Sequence, residues 1–383
     1  MDIVKRIGID VRVFGEGKIT GVEVYTLNLL RNLFEIDHKN EYILFCNSFG
    51  KACRNLPKFE YSNVTVKSYG YPNRLLNTSL LFFKYPKIDK LLGGLDVFFS
   101  PRYLFCALSK ECKHVVTMHD LSFVHRRDLF SLKQRVWHRA ISDRRVTRKS
   151  AGVITVSDST KLDLQKYFGV SSDKIHTIYP GIDHNVYNLR KDPEEEKNLK
   201  NRYNLKDDFF LYLGTIEPRK NLTGIILAYE EYRKASNVDT QLVLAGNLGW
   251  LYKKILAVVD KSIYKKDIRL IGSVPESAKP HLYRMASILI FTSFYEGFGF
   301  PPLEAMACGT PVITSLSASF PEVLGDAGFY VNPYKLEQIH RAFQELSRDE
   351  SLRNDLIRKG IIQANKYDWE KTARKTLEIL ESV

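Results

Sequence analysis

The chain has 383 residues, more than one hydrophobic core normally serves, since single cores rarely grow past roughly 250 to 300 residues. Hydrophobic residues make up 44% and charged residues 26%, which excludes disordered and fibrous classes and points to a soluble globular protein of two domains. The net charge of +13 is uneven: residues 1–190 hold 30 Lys and Arg against 18 Asp and Glu, whereas residues 191–383 hold 27 against 26. That asymmetry suits a surface in the first half that meets something anionic, phospholipid or nucleic acid.

Met1 to Asp10 lacks the basic-then-apolar layout of a signal peptide, and no window offers the roughly 20 uninterrupted apolar residues needed to span a bilayer. A cytoplasmic protein is expected. The five cysteines, Cys46, Cys53, Cys106, Cys112 and Cys308, are odd in number and form no CxxC pair. This argues against a disulfide framework or a structural zinc site and for small core residues.

Short apolar, β-branched runs alternate with helical segments, the pattern of parallel βαβ construction. In the first half the spacing predicts strands at Arg6–Val11, Tyr42–Cys46, Val64–Lys67, Val97–Ser100, Val115–Met118, Gly152–Val156 and Ile175–Tyr179. Helices are expected at Val22–Phe34, about Ser131–Lys149 and Ser159–Phe168. Between the strands lies an apolar run with Leu75, Leu76, Leu80, Leu81, Phe82 and Phe83, followed by Lys84, Lys87 and Lys90. It reads either as the core side of a helix or as a surface for a lipid headgroup boundary. Residues 187–208 are polar and charged, a linker plus surface helix, which puts the domain boundary near residue 190.

The second half repeats the rhythm with strands Phe209–Leu213, Gln241–Ala245, Ile268–Leu270, Leu289–Thr292 and Val312–Thr314. Domains of 1–190 and 191–366 follow, with 367–383 an amphipathic helix, Ala373, Leu377 and Leu380 on one face, that is expected to cross back to the first domain. Two doubly wound α/β domains facing across a cleft bind ligands beyond the carboxyl ends of their strands. The distinctive segments do follow strands.

The most distinctive is Ser293-Phe-Tyr-Glu-Gly-Phe-Gly-Phe-Pro-Pro-Leu-Glu-Ala-Met-Ala-Cys-Gly-Thr-Pro-Val312. A strand ends in a glycine-containing loop, Pro301 and Pro302 suit the first helical positions, and backbone N–H groups at that N-terminus form an anion site. Glu296 and Glu304, eight positions apart, flank the loop, so that one can meet a sugar and the other a ribose. Arg219 and Lys220 are two adjacent cations just after strand Phe209–Leu213. His119 stands at the end of strand Val115–Met118, in Thr117-Met-His-Asp-Leu-Ser-Phe123.

Taken whole, the long segment resembles the E-x7-E element of retaining glycosyltransferases, and its surroundings are similar to glycosyltransferase family 4. The resemblance spans nearly the whole chain and includes Leu213-Gly-Thr-Ile-Glu-Pro-Arg-Lys-Asn-Leu222, Leu244-Ala-Gly-Asn247, Gly272-Ser-Val274, Tyr179-Pro-Gly-Ile-Asp183 and Asp368-Trp-Glu-Lys-Thr-Ala373. It implies the GT-B fold, two Rossmann-like domains across a cleft, and retention at the anomeric carbon. By the same resemblance Arg219 and Lys220 hold the donor diphosphate, Glu296 contacts the donor sugar, Glu304 bonds the ribose, and Leu303 lines the ribose pocket. Val274 lies against the base, Gly297, Phe298 and Gly299 approach the sugar, and His119 sits over the sugar near the transferring centre. Gly21 closes the loop Gly15-Glu-Gly-Lys-Ile-Thr-Gly21 near the diphosphate, where Thr20 departs from the usual paired glycines.

No D-x-D triplet occurs, so the resemblance implies no metal and no cofactor beyond the nucleotide-diphosphate sugar. The expected partners are that donor, a glycan or lipid-linked oligosaccharide acceptor, and an anionic membrane surface at the inner face of the plasma membrane. The likeness to bacterial mannosyltransferases of surface-polysaccharide assembly suggests GDP-mannose. The competing readings are a GT-B-like nucleotide-sugar epimerase or phosphorylase, and a basic nucleic-acid-binding protein, for which the chain carries no recognisable module.

Overall fold

A computed structural model describes residues 4–16, 21–47, 56–132, 134–135, 143–236 and 238–383. The first half forms β1 (Arg6–Asp10), β2 (Glu41–Asn47), β3 (Val64–Tyr69), β4 (Val97–Ser100), β5 (Lys113–Met118), β6 (Gly152–Thr155) and β7 (Ile175–Thr177). They assemble in the order β3-β2-β1-β4-β5-β6-β7 with every pairing parallel. β4 and β6 are buried along their whole length, as expected when helices cover both faces of a parallel sheet. Edge strand β3 is largely solvated.

The second half forms β8 (Phe209–Leu213), β9 (Gln241–Ala245), β10 (Ile268–Gly272), β11 (Ile288–Phe291), β12 (Val312–Ser315) and β13 (Gly328–Val331). The order is β10-β9-β8-β11-β12-β13, again all parallel. Both sheets thus share the 3-2-1-4-5-6 winding, which reverses direction beside the first strand: between β1 and β4 in one and between β8 and β11 in the other. At such a switch point the loops diverge and leave a crevice. β13 has no counterpart in the sequence reading, because Gly-Phe-Tyr-Val is short and opens on a glycine.

The chain divides into two compact units. The first is built from the described residues of Met1–Leu121, Lys133–Gly181 and Asp368–Val383, the second from those of Ser122–Leu132 and Ile182–Tyr367. The division falls at Gly181, ahead of residue 190, and Ser122–Leu132 does not stay with its neighbours, because its aromatic and arginine side chains find their partners in the second unit. The helix Trp369–Ser382 lies in the first unit. Trp369 meets the Tyr25 ring edge-on at 5.8 Å, the Thr372 hydroxyl donates to the Tyr179 carbonyl at 2.8 Å, and Lys5 Nζ donates to the Glu381 carbonyl at 2.6 Å.

The apolar run near residue 80 splits by helical period. In the helix Asn73–Phe82, Leu76 and Leu80 enter the core with Phe45, Ile88 and Phe98. Leu75, Phe82 and Phe83 are 68%, 72% and 77% exposed, so only part of the run is core. The expected helix Ser131–Lys149 is described over Asp143–Lys149, and residues 136–142 lie outside the described residues, as do Thr20 and Cys53. Cys46 is disulfide-bonded, against the expectation of core thiols, while Cys106, Cys112 and Cys308 are free. Among the described residues no helix is long and apolar enough to cross a membrane.

Candidate active site

Adjacency of β8 and β11 brings the loops that follow them together. After β8 the chain turns through Pro218–Lys220 and Asn221, which adopts a left-handed φ of 58° that asparagine tolerates well. The Asn221 amide donates to the Pro333 carbonyl at 2.8 Å, fixing this turn. After β11 the Phe294 N–H donates to the Arg219 carbonyl at 2.9 Å, which locks the two loops to each other.

On this frame sits a cluster of four charges, with Glu217, Lys220 and Glu296 buried and Arg219 part-buried. Glu296 accepts from Lys220 Nζ at 2.5 Å through Oε1 and from Arg219 Nη1 at 2.9 Å through Oε2. Arg219 also donates to the Tyr295 carbonyl at 2.8 Å and, through Nε, to Glu217 at 3.0 Å. Lys220 Nζ lies 5.0 Å from the centre of the Phe291 ring. Burial pushes the Glu296 carboxyl up, but Arg219 and Lys220 outweigh it and bring it down to about 2. Glu217 goes the other way: burial raises it despite Arg219 and Lys220, and Glu296 adds to the rise. The cations are therefore held in place before any ligand arrives, the arrangement that makes electrostatic stabilisation effective.

The loop then passes through Gly297 and Phe298 to Gly299, whose φ of 102° suits glycine and whose added Cβ would come within 2.6 Å of the Phe320 ring. The Ser319 hydroxyl donates to the carbonyls of Glu296 and Phe298, at 3.1 and 3.0 Å, and fixes the curve. Gly299 leads into the helix Phe300–Ala307. Leu303 and Glu304 are buried on it, and Glu304 accepts from the Tyr283 hydroxyl at 2.8 Å. Burial raises the Glu304 carboxyl more than Lys279, Tyr283 and Tyr187 lower it. Val274, just past β10, is buried.

His119 belongs to the first unit, immediately after β5. Its Nε2 lies 2.8 Å from the Pro101 carbonyl. A carbonyl only accepts, which assigns the proton to Nε2 and leaves Nδ1 as an acceptor. Burial, partly offset by that bond, lowers the imidazole to about 4, so it is neutral at pH 7. The ring packs edge-on against Tyr25 at 4.8 Å. Such a histidine can accept from a hydroxyl but has no second proton for a phosphate. Gly21 is the exposed first residue of the helix Gly21–Ile36, and the part of its loop at 17–20 lies outside the described residues.

The structure thus brings Arg219, Lys220 and Glu296 into direct contact, with Gly297 and Gly299 shaping the same loop, and sets Glu304 in a separate tyrosine-lined environment. Three participants escaped the sequence reading. Glu217 lies inside the Gly-Thr-Ile-Glu-Pro-Arg-Lys segment, where a buried acid beside two cations was legible. Tyr283 and Ser319 carry no local signal.

Residues 193–363 match the family described as "Glycosyl transferases group 1", and residues 19–186 match "Glycosyltransferase Family 4". The chain is 31% identical over 269 residues to the O-antigen chain mannosyltransferase B of Escherichia coli, covering 69% of this chain and 68% of that protein. It is 30% identical over 325 residues to the O-antigen chain mannosyltransferase RfbU of Salmonella typhimurium, covering 82% and 83%. The chain belongs to glycosyltransferase family 4. Of the E. coli serotype-specific mannosyltransferase WbdA, 28% identical over 232 residues, the match spans only 28% of the length. Among solved structures, the sucrose-phosphate synthase of Thermosynechococcus elongatus has a TM-score of 0.78 at 18% identity, covering 99% of this chain and 98% of that one. WaaG, a glycosyltransferase involved in lipopolysaccharide biosynthesis, has a TM-score of 0.74 at 14% identity, covering 98% and 99%. These likenesses show the fold, GT-B. The protein is a retaining glycosyltransferase, which sets aside the epimerase and nucleic-acid-binding readings.

A carboxyl whose folded pKa lies above its unfolded value costs stability as pH rises through that interval. Glu304→Gln should melt higher than the unsubstituted enzyme at pH 8, by about 2 to 4 °C for each kcal/mol relieved. The gap should close as pH falls through the carboxyl range. A lower melting temperature at pH 8 would contradict the assignment of Glu304 as a buried, strained carboxylate.

Proposed function

We propose that the enzyme transfers mannose from GDP-mannose, with retention and without a metal ion, to a lipid-linked glycan acceptor in cell-surface polysaccharide synthesis. One observation carries the reading: a part-buried arginine and a buried lysine gripping a buried glutamate at the switch point of the second sheet. Two fixed cations there suit a diphosphate, and the glutamate between them suits the sugar attached to it. The mannosyl donor is supported by the names of two relatives, both mannosyltransferases of O-antigen chains.

In this mechanism the bond from the anomeric carbon to the phosphate oxygen breaks and its electron pair leaves with the diphosphate. Arg219, Lys220 and the N-terminal N–H groups of the helix Phe300–Ala307 stabilise that charge. The acceptor hydroxyl bonds to the anomeric carbon from the same face, and its proton passes to the departing phosphate oxygen. No protein base is required. Glu304 accepts a hydrogen bond from the ribose, with Leu303 and Val274 enclosing ribose and base. The cationic side chains do the work that a metal ion would otherwise do.

An exposed apolar stretch in the first unit supports the lipid-linked acceptor. Leu75, Phe82, Phe83 and Tyr85 are each exposed, with Lys84 next to Phe83 and Tyr85 in sequence, in the half of the chain that carries most of the net positive charge. Apolar side chains in the headgroup boundary, with each nearby cation adding on the order of 1 kcal/mol, attach a protein reversibly to anionic lipid.

Melting-temperature shifts with GDP, UDP, ADP and their sugar conjugates should be largest for the GDP pair. With the donor so identified, Lys220→Ala, assayed where it remains folded, should turn over about 10²- to 10³-fold more slowly, and the unsubstituted enzyme should keep its activity in EDTA. Normal turnover in the variant, or loss in chelator restored by magnesium or manganese, would overturn the mechanism. On the membrane side, the enzyme should sediment with anionic liposomes at low salt, and replacing Leu75, Phe82 and Phe83 by serine should leave it in the supernatant. Equal sedimentation of both proteins would remove the patch.

A further inference from the structure

The chain leaves the first unit three residues after His119, and Ser122–Leu132 is packed into the second unit before the chain returns. This strap grips loops at the carboxyl ends of three strands of the second sheet. The Arg126 guanidinium lies 4.6 Å from the Phe294 ring centre and 5.6 Å from that of Tyr334. It also donates to the Tyr334 hydroxyl at 2.7 Å. Asp128 holds it in a two-pronged pair, Nε to Oδ1 at 3.0 Å and Nη2 to Oδ2 at 2.8 Å. Farther along, Phe130 stacks on Trp250 at 5.3 Å, and the Trp250 indole N–H donates to the Leu129 carbonyl at 2.6 Å.

Phe294 and Tyr295 immediately precede Glu296, and His125 of the strap stacks on Tyr295 at 4.8 Å. The Tyr295 carbonyl is the one that accepts from Arg219. The strap therefore bears on the approach to the sugar glutamate and not on Glu304, whose partners are Tyr283 and Tyr187. A planar cation clamped by its own carboxylate, with aromatic rings from two different loops against it, is a geometric device that a lysine reproduces only in part.

We propose that Arg126 is a positioning residue for the donor sugar, fixing the loop of Phe294 and Tyr295 so that Glu296 meets the sugar in one orientation. The proposal rests on the reading of Glu296 as the sugar contact. It predicts a selective defect: recognition of the sugar weakens while recognition of the nucleotide stays, because a misplacement on the order of 1 Å at a positioned group costs up to about a hundredfold.

The test is calorimetry with matched pairs, GDP and GDP-mannose, UDP and UDP-glucose, ADP and ADP-glucose, on the full chain. For the pair that binds, Arg126→Ala should raise the ratio of the sugar conjugate's Kd to the bare nucleotide's Kd by about tenfold, with the nucleotide's own Kd unchanged. Arg126→Lys, which keeps a cation over the rings, should fall between. If both constants weaken together, or the ratio stays put in both variants, the strap is only a buttress and the proposal fails while the donor-site reading stands. If the unsubstituted enzyme binds none of the three pairs, the donor-site reading fails and the strap proposal with it.

Discussion

Everything else in the structure depends on the contact between Glu296 and the two cations of the preceding loop. Three charged side chains, buried or nearly so and within hydrogen-bond reach, would be costly if any were left unpaired, on the order of 3–5 kcal/mol for a broken buried pair. Here each has a partner, and Glu217 adds a fourth charge that leaves the group formally neutral. The contact exists only because β8 and β11 are neighbours, so the winding order of the sheet and the electrostatics of the site are one constraint. It also means that Arg219 and Lys220 serve stability and chemistry at once, and a truncation there is not a purely catalytic lesion.

The two glutamates of the E-x7-E element illustrate how environment divides one residue type into two roles. Glu296 is held ionised by paired cations, whereas Glu304, buried against tyrosine hydroxyls with Lys279 as its compensating charge, is pushed toward protonation. An ionised group clasped by the diphosphate-binding cations senses whatever those cations bind. A carboxyl in a tyrosine-lined pocket answers instead to neutral hydroxyls, such as those of a ribose. His119, with its proton committed to Pro101, is likewise limited to accepting.

The parallel βαβ rhythm was legible because buried strands such as Phe209–Leu213 and Gln241–Ala245 are continuous apolar runs between polar turns, a pattern dictated by coverage on both faces. The charged loop residues were legible by motif. What escaped depended on partners remote in sequence. Tyr283 meets Glu304 from another helix, and the strap's membership of the second unit is decided by Phe294, Tyr334 and Trp250, all more than a hundred residues away. The run at Leu75–Phe83 could be read as core or as surface, and a one-residue difference in helical phase separates exposed Leu75 from buried Leu76.

If Glu296 shares its cations with the donor diphosphate while holding the sugar, neutralising it has opposite effects on the two ligands. Calorimetry of Glu296→Gln with GDP and GDP-mannose reads both. GDP should bind as tightly as before or more tightly, since Arg219 and Lys220 are released from a competing carboxylate, while GDP-mannose should weaken by about tenfold or more, as expected for losing a charge-assisted hydrogen bond of about 1.5–3 kcal/mol. An equal loss of affinity for both ligands would contradict this, because Glu296 would then be holding the nucleotide site together and not recognising the sugar.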